Sequence, residues 1–426
     1  MTDNRPRLPR SVKPALRSLA AAASRIPWLP LGVVVVGLAL AVALRSSLLD
    51  FKSDDYYASL KPWYNTIRSQ GFAAFGTDFS TYNPPYLYLL YLIARFLPDV
   101  SIVVAVKLPG LVSDFVCAFF VYLIVRLRFQ KHGALPFAAA MLVLFAPSVV
   151  LNAAFWGQAD SIFTAGILGC TYFLMKRRSV LALMFFGVGL AFKLQAIFLA
   201  PIILALCLRR LLSWRSLVAV PVILFLAIVP SWIAGRSLAD LLNIYLYQAS
   251  QFEFITMNAA SAYAWLPSTK QVFNLFYVPG VIMGAAAGYA LFILAYKAPV
   301  EMSGSRLLEL LLAATLVIPF FLPKMHERYF YPADVISIAF AFYYPELFIL
   351  PILVGGVSFF SYSPFLFQAE VVPLPILTGV LLAAIGVLMY HAAGQLFSKA
   401  SAGDTGDPPL APAEVLAPPL TQEAAS

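Results

Sequence analysis

Charge is what this chain has least of. Asp, Glu, Lys and Arg make up 12% of its 426 residues, about half the share carried by a soluble domain. Apolar residues make up 61%, and the mean hydropathy is +0.84. Together these exclude a water-soluble globular protein. Cysteine is scarce too. Cys117, Cys170 and Cys207 all fall inside apolar segments, and an odd, buried set excludes a disulfide framework and a thiolate metal site. No glycine-rich phosphate loop, zinc-ligand spacing or Gly-x-Ser-x-Gly elbow is visible. The formal charge of +9 is spread between apolar runs, as membrane topology demands, so no nucleic-acid partner is expected.

What is present is a succession of apolar runs. Residues 1–25 form a basic tail with Arg5, Arg7, Arg10, Lys13, Arg17 and Arg25. Ile26–Leu44 follows and reads as an uncleaved signal anchor, although Ala41-Val42-Ala43 resembles a cleavage site. Further basic clusters lie at Arg126, Arg128 and Lys131, at Lys176–Arg178, at Arg209, Arg210 and Arg215, and at Lys297 with Arg306. With every cluster on the cytoplasmic side, an even number of crossings separates neighbours. This predicts about 12 (11–13) transmembrane helices between 26 and 397. The runs 180–192 and 194–208 are shorter than a full span and must be shielded or open onto a water-filled cavity. Tyr86–Leu97, opened by Asn83-Pro84-Pro85, is expected to be re-entrant or interfacial. Two long outer loops result, 50–85 and 235–271. The tail 398–426 is rich in Ala and Pro, without aromatics, and is expected to be disordered and cytoplasmic. The fold class is therefore an all-α polytopic integral membrane protein.

Ionisable groups against the bilayer are functional candidates by default. On this topology four groups converge on the outer side: Asp54 with Asp55, Asp160 after Trp156-Gly157-Gln158, Lys193, and the cluster Lys324, His326, Glu327 and Arg328. Ser53 reads as an N-cap with both aspartates in the first turn, ahead of an interfacial amphipathic face of Leu60, Trp63, Tyr64 and Ile67. Alternatively one carboxylate accepts a proton from an attacking hydroxyl. A divalent cation is a third option, weakly supported by two adjacent carboxylates alone. The cluster at 324–328 follows Pro323, which ends a helix, and its donors suit a phosphate. Lys193 either shares that task or pairs with Asp160, which otherwise caps the span from Ser161. Asp114, deeper in its span, is expected to pair with Lys107 or Lys193. A transferase without a nucleotide fold would take its donor from the lipid phase. The rival class is a secondary transporter or lipid flippase, and a polyprenyl-linked ligase or polymerase is a third.

The segments Ser53–Tyr57, Pro62–Tyr64, Phe79–Tyr91, WGQADS (156–161), FKLQA (192–196) and LPKMHERYFYPAD (322–334) together resemble the bacterial mannosyltransferase-like family. That family is related to the second mannosyltransferase of GPI-anchor assembly and belongs to the GT-C class of polytopic glycosyltransferases. The resemblance runs from about Arg45 to Leu396 and omits both tails. It implies a GT-C fold, a polyprenyl-phosphate-linked hexose donor (mannose by family label) and inversion at the anomeric carbon. The acceptor is expected to be a glycolipid or envelope glycan, with the active site facing outward. It also implies a catalytic acid in the first outer loop, matched by Asp55, with Asp54 beside it. Arg328, His326, Lys193 and Lys324 are the expected phosphate-binding set. Asp160, Gln158, Asp114 and Glu327 are expected to support them.

Overall fold

The computed structural model describes residues 29–130 and 133–397. The basic N-terminal tail, Lys131 and the C-terminal tail lie outside that range. The described residues are predominantly helical. Helix α1 (Leu29–Ser46) leads into the first long loop, which carries a π-helical turn (Tyr56–Leu60), α2 (Lys61–Gln70) and a 3-10 segment. Then come α3 (Pro84–Phe96), α4 (Ile102–Arg128), α5 (Ala134–Phe145) and α6 (Pro147–Val150). Next are α7 (Asp160–Met175), α8 (Ser179–Phe192), α9 (Ala200–Leu208), α10 (Ala219–Ile233) and α11 (Leu238–Ser250). The last part holds α12 (Lys270–Lys297), α13 (Gly304–Phe321), α14 (Tyr331–Tyr343), α15 (Ile349–Ser361), α16 (Ser363–Phe367) and α17 (Leu374–Phe397).

Within the described residues each of the expected apolar runs is helical, but they do not have equal reach. Among the described residues, six helical stretches are long and apolar enough to cross a bilayer, and the bent pair 134–145 with 147–156 makes a seventh. The bend is 51° and falls at Ala146-Pro147, because proline removes an N–H and crowds the preceding turn. The expected single span 135–151 is thus a broken one. A second boundary moves as well. The expected return 332–350 ends at Tyr343, since Tyr344 precedes Pro345 and is held out of helical geometry (φ −131°, ψ 76°).

Burial is uneven among the helices. From Asp160 to Thr171, α7 is buried without a break, and so is α13 from Ser305 to Phe320. By contrast, the stretch containing α10 is mostly lipid-exposed. Gly166 of α7 and Gly189 of α8 meet backbone to backbone, and a Cβ at Gly166 would stand 2.7 Å from Gly189 Cα. This is the small-residue contact that lets membrane helices approach closely. The three cysteines are buried and free.

The two ends of the bundle differ. At one end Arg209 donates to the carbonyls of Ala295 (2.8 Å) and Val300 (2.7 Å), and Arg128 to Ser305 Oγ (3.4 Å). Two of the basic clusters, through Arg128 and Arg209, therefore share that end. At the other end the first long loop, the α10–α12 connection and the residues after α13 meet. A short parallel pair, β1 (Thr256–Met257) with β2 (Met325–His326), ties the last two together. The face of Leu60, Trp63, Tyr64 and Ile67 forms as expected, but it packs on Tyr86, Leu87 and Leu90 of α3 and on Val103 and Val106 of α4. It is a protein core, not a membrane-interface face.

Candidate active site

Asp55 and Asp54 part company at the start of the first loop's helix. Ser53 Oγ accepts the Tyr56 N–H (3.3 Å) and donates to the Trp156 carbonyl (2.9 Å), so the cap also fixes the loop to the bent helix. Asp54 is exposed; Asp55 is half-buried and faces a cavity. Its Oδ2 accepts the Trp156 indole N–H (2.9 Å) and the Gln158 amide (2.6 Å). Neither bond goes to Oδ1.

Those two donors are delivered by a local break. The bent helix ends in a π-helical turn, Leu151–Trp156, and Gly157 then adopts φ +89°, a left-handed conformation open to glycine. The Gln158 N–H closes the turn on the Asn152 carbonyl (2.9 Å). The tight reversal sends Trp156 and Gln158 to Asp55, and Asn152 Nδ2 to Asp160 Oδ2 (2.9 Å). Gln158 Oε1 accepts the Tyr82 hydroxyl (3.1 Å). The Trp156 ring is fully buried, stacked on Phe365 (4.8 Å) and edge-on to Tyr362 (5.4 Å), with the Arg328 guanidinium 5.3 Å from its centroid.

The opposite wall is cationic. Lys193 stands where α8 ends and the backbone is extended, and its Nζ lies 2.5 Å from Asp160 Oδ1. The pairing reading of Asp160 therefore holds, while the cap of α7 is Ala159 without a side-chain bond. Arg328 Nη1 lies 3.3 Å from Glu327 Oε1, and its Nε 3.8 Å from Asp160 Oδ2. That Nε is buried without a hydrogen-bond partner. Burial pushes the Lys193 ammonium down; Asp160 opposes this and Arg328 reinforces it. Burial also works against charge on Arg328, but Glu327 and Asp160 outweigh it and push its pKa up. Burial, with Arg328 and Lys193 adding to it, holds His326 well below its usual range, so it is neutral. Burial raises the Glu327 carboxyl to about 7, against the pull of Arg328. Lys324, in a left-handed backbone (φ +61°), lies over the rings of Tyr277 (4.9 Å) and Phe273 (5.1 Å) at the rim.

Between these walls lies a cavity of about 530 Å³, within the range of small-molecule sites. Asp55, Gln158, Lys193, Lys324, His326, Glu327 and Arg328 all line it. Apolar residues including Phe192, Val281 and Leu322 complete its surface. Asp160 stands just behind, reaching the cavity through Lys193. Among the described residues no group of three or more His, Cys, Asp or Glu stands close enough to hold a metal.

Asp114 is not part of this site. Its Oδ2 accepts Arg45 Nε (3.0 Å) and Nη2 (2.9 Å), and its Oδ1 accepts the Tyr331 hydroxyl (3.2 Å). The expected pairing with Lys107 or Lys193 is corrected. Lys107 instead donates to the carbonyls of Leu49, Phe51 and Ala154 at 2.7–2.9 Å, where three backbone oxygens stand in for a carboxylate. Trp156, Asn152 and Arg45 are the residues that sequence reasoning passed over. The signal for Arg45 was present, since it is the one cation at the end of the first apolar run.

No protein-family model and no curated protein matches the sequence. The fold does have solved counterparts. Crystal structures of ArnT from Cupriavidus metallidurans, bound to undecaprenyl phosphate and in the apo state, each superpose with a TM-score of 0.51 at 14% identity. The superposition covers 85% of this chain and 77% of ArnT. The chain is an all-α polytopic membrane protein that shares its fold with ArnT.

Proposed function

We propose that this protein is an inverting membrane glycosyltransferase that takes a hexose from a polyprenyl-phosphate donor. The observation that carries the reading is the pairing of walls across one cavity, with an oriented carboxylate, Asp55, on one side and Lys193 and Arg328 on the other. Asp55, steered by Trp156 and Gln158, deprotonates the acceptor hydroxyl. That oxygen attacks C1 from the face opposite the phosphate, the C1–O bond to phosphate breaks, and the leaving phosphate keeps the electron pair. Lys193, Arg328 and neutral His326 donate to the phosphate oxygens as charge builds there. Lys324 guards the rim. A fold shared with a protein crystallised with undecaprenyl phosphate supports the donor class. Mannose as the sugar, and a glycolipid or envelope glycan as acceptor, follow from the sequence resemblance. By positive-inside counting the basic end is cytoplasmic, so the cavity faces outward. Gathering of the polar groups at one end of the bundle favours a transferase over a transporter, whose charges would sit at the midplane.

The test uses purified protein with polyprenyl-phosphate-mannose or polyprenyl-phosphate-glucose and candidate membrane acceptors, following release of polyprenyl phosphate. Asp55→Asn is expected to reduce turnover by roughly 10²–10⁴-fold with donor binding retained, and Asp54→Asn to leave it near wild type. Equal turnover in wild type and Asp55→Asn would overturn the mechanism.

A further inference from the structure

A second, smaller pocket of about 210 Å³ adjoins the first. Asn258 lines both, and the α15–α16 turn separates them, with Ser361 and Pro364 on the small pocket and Phe365 on the large one. Phe365 is the ring stacked on Trp156, which donates to Asp55. The small pocket is therefore two side chains away from the proposed base. Asn258 is fixed at the junction in a left-handed backbone (φ +54°), bridged to His326.

The lining is chemically lopsided. Ser361 is 2% exposed, and its Oγ has no hydrogen-bond partner, although a buried hydroxyl ordinarily finds one. Glu370 is the only charged residue, with Oε1 accepting the Leu374 N–H (2.8 Å). Phe360 and Pro364 supply apolar faces. A hydroxyl, an amide and a carboxylate against an aromatic ring match the hydroxyl edge and C–H face of a pyranose. With no cation in the lining, an anionic ligand has no counter-charge there. The volume is below the 300–1,000 Å³ or so typical of drug-sized ligands, enough for one sugar ring.

Resting on the glycosyltransferase reading, we propose that this pocket is an acceptor subsite that holds one neutral sugar ring of a glycan, next to the ring that carries the reacting hydroxyl, through Asn258, Ser361 and Glu370. The experiment is saturation-transfer-difference NMR of methyl α-mannoside, α-glucoside and α-galactoside with the full-length protein in a detergent without a sugar head group. Glu370→Gln keeps an oxygen for the Leu374 N–H, and Asn258→Ala removes the junction amide while adding backbone strain in the left-handed region. Both are expected to weaken binding of the preferred glycoside by about tenfold, the effect of one charge-assisted or well-placed hydrogen bond. Asp55→Asn is expected to bind it as wild type does. Wild-type binding in both Glu370→Gln and Asn258→Ala, or no saturation transfer from the wild-type protein to any of the three glycosides, overturns the subsite. The donor-turnover assay fails or succeeds separately. Glycoside binding lost in the pocket variants, with turnover indifferent to Asp55, would sink the transferase reading and leave a sugar-binding pocket.

Discussion

Asp160 has two hydrogen-bond partners, Lys193 at 2.5 Å and Asn152 at 2.9 Å, with Arg328 Nε at 3.8 Å. Removing one partner of such a buried pair strands the other, at a cost of about 3–5 kcal/mol. Asp160→Asn is therefore expected to lower the thermal midpoint sharply, and Asp160→Asn with Lys193→Met to recover part of the loss. Differential scanning fluorimetry in detergent reads both. Glu327 makes a pH prediction. With its carboxyl raised to about 7, it is mostly neutral below that pH and negative above it. A polyprenyl-phosphate sugar is a phosphodiester with no proton to lose in this range. Donor affinity should then fall as pH rises through about 7, because the new charge competes for Arg328. Glu327→Gln should flatten that dependence, as read by donor binding between pH 6 and 8. The candidates at this scale were legible because charge in lipid is rare enough to stand out. Their partners were not. Nothing in the spacing of Trp156 tells an interface tryptophan from one whose indole N–H holds a carboxylate.

The element with most influence on the site is the turn at 151–158. Proline starts the bend, a π-turn widens its end, and Gly157 reverses it. A Cβ at Gly157 would lie 3.3 Å from Lys107 Cγ and 3.5 Å from Leu60 Cδ1, in a backbone with φ +89°. Gly157→Ala should thus cost about 1–2 kcal/mol for the left-handed conformation alone. It should also reduce turnover more than the stability loss explains, because Trp156 and Gln158 both shift relative to Asp55. Comparing kcat with the thermal midpoint for Gly157→Ala and for Trp156→Phe checks this. The phenylalanine keeps the stacking and loses one hydrogen bond, for about a tenfold effect. Helix existence could be read from apolar periodicity and proline positions, and the long loop's apolar face from Leu60, Trp63, Tyr64 and Ile67, though not that it packs on protein instead of the membrane interface. The π-turn could not, because its backbone is set by what its ends must reach, and both ends are tertiary.

On the scale of the whole molecule, the Arg45–Asp114–Tyr331 set joins α1, α4 and α14 deep in the bundle, away from the cavity. Arg45→Met should destabilise by about 3–5 kcal/mol, while donor affinity measured below the new midpoint stays close to wild type. If donor binding collapsed in a folded Arg45→Met protein, the pin and the site would be coupled. Charge counting was enough to predict which loops share an end, because parity leaves few solutions once the basic clusters are grouped. Depth was harder to read. Asp114 and Asp160 look alike as lone acids in apolar runs, and only packing separates the one that fastens helices from the one that backs a cavity.

The cancelled charges of the cavity's cationic wall have one more consequence. Above about pH 7, where Glu327 is ionised, Lys193 has Asp160 and Arg328 has Glu327, so these two pairs project little field into the water outside. Buried pairs are also shielded from ionic strength far less than exposed ones. Inorganic phosphate, nucleotides and other anions of the aqueous phase therefore meet no electrostatic funnel here. The cavity discriminates by route of arrival, ignoring what diffuses through water and responding to a head group that the bilayer itself carries to the door.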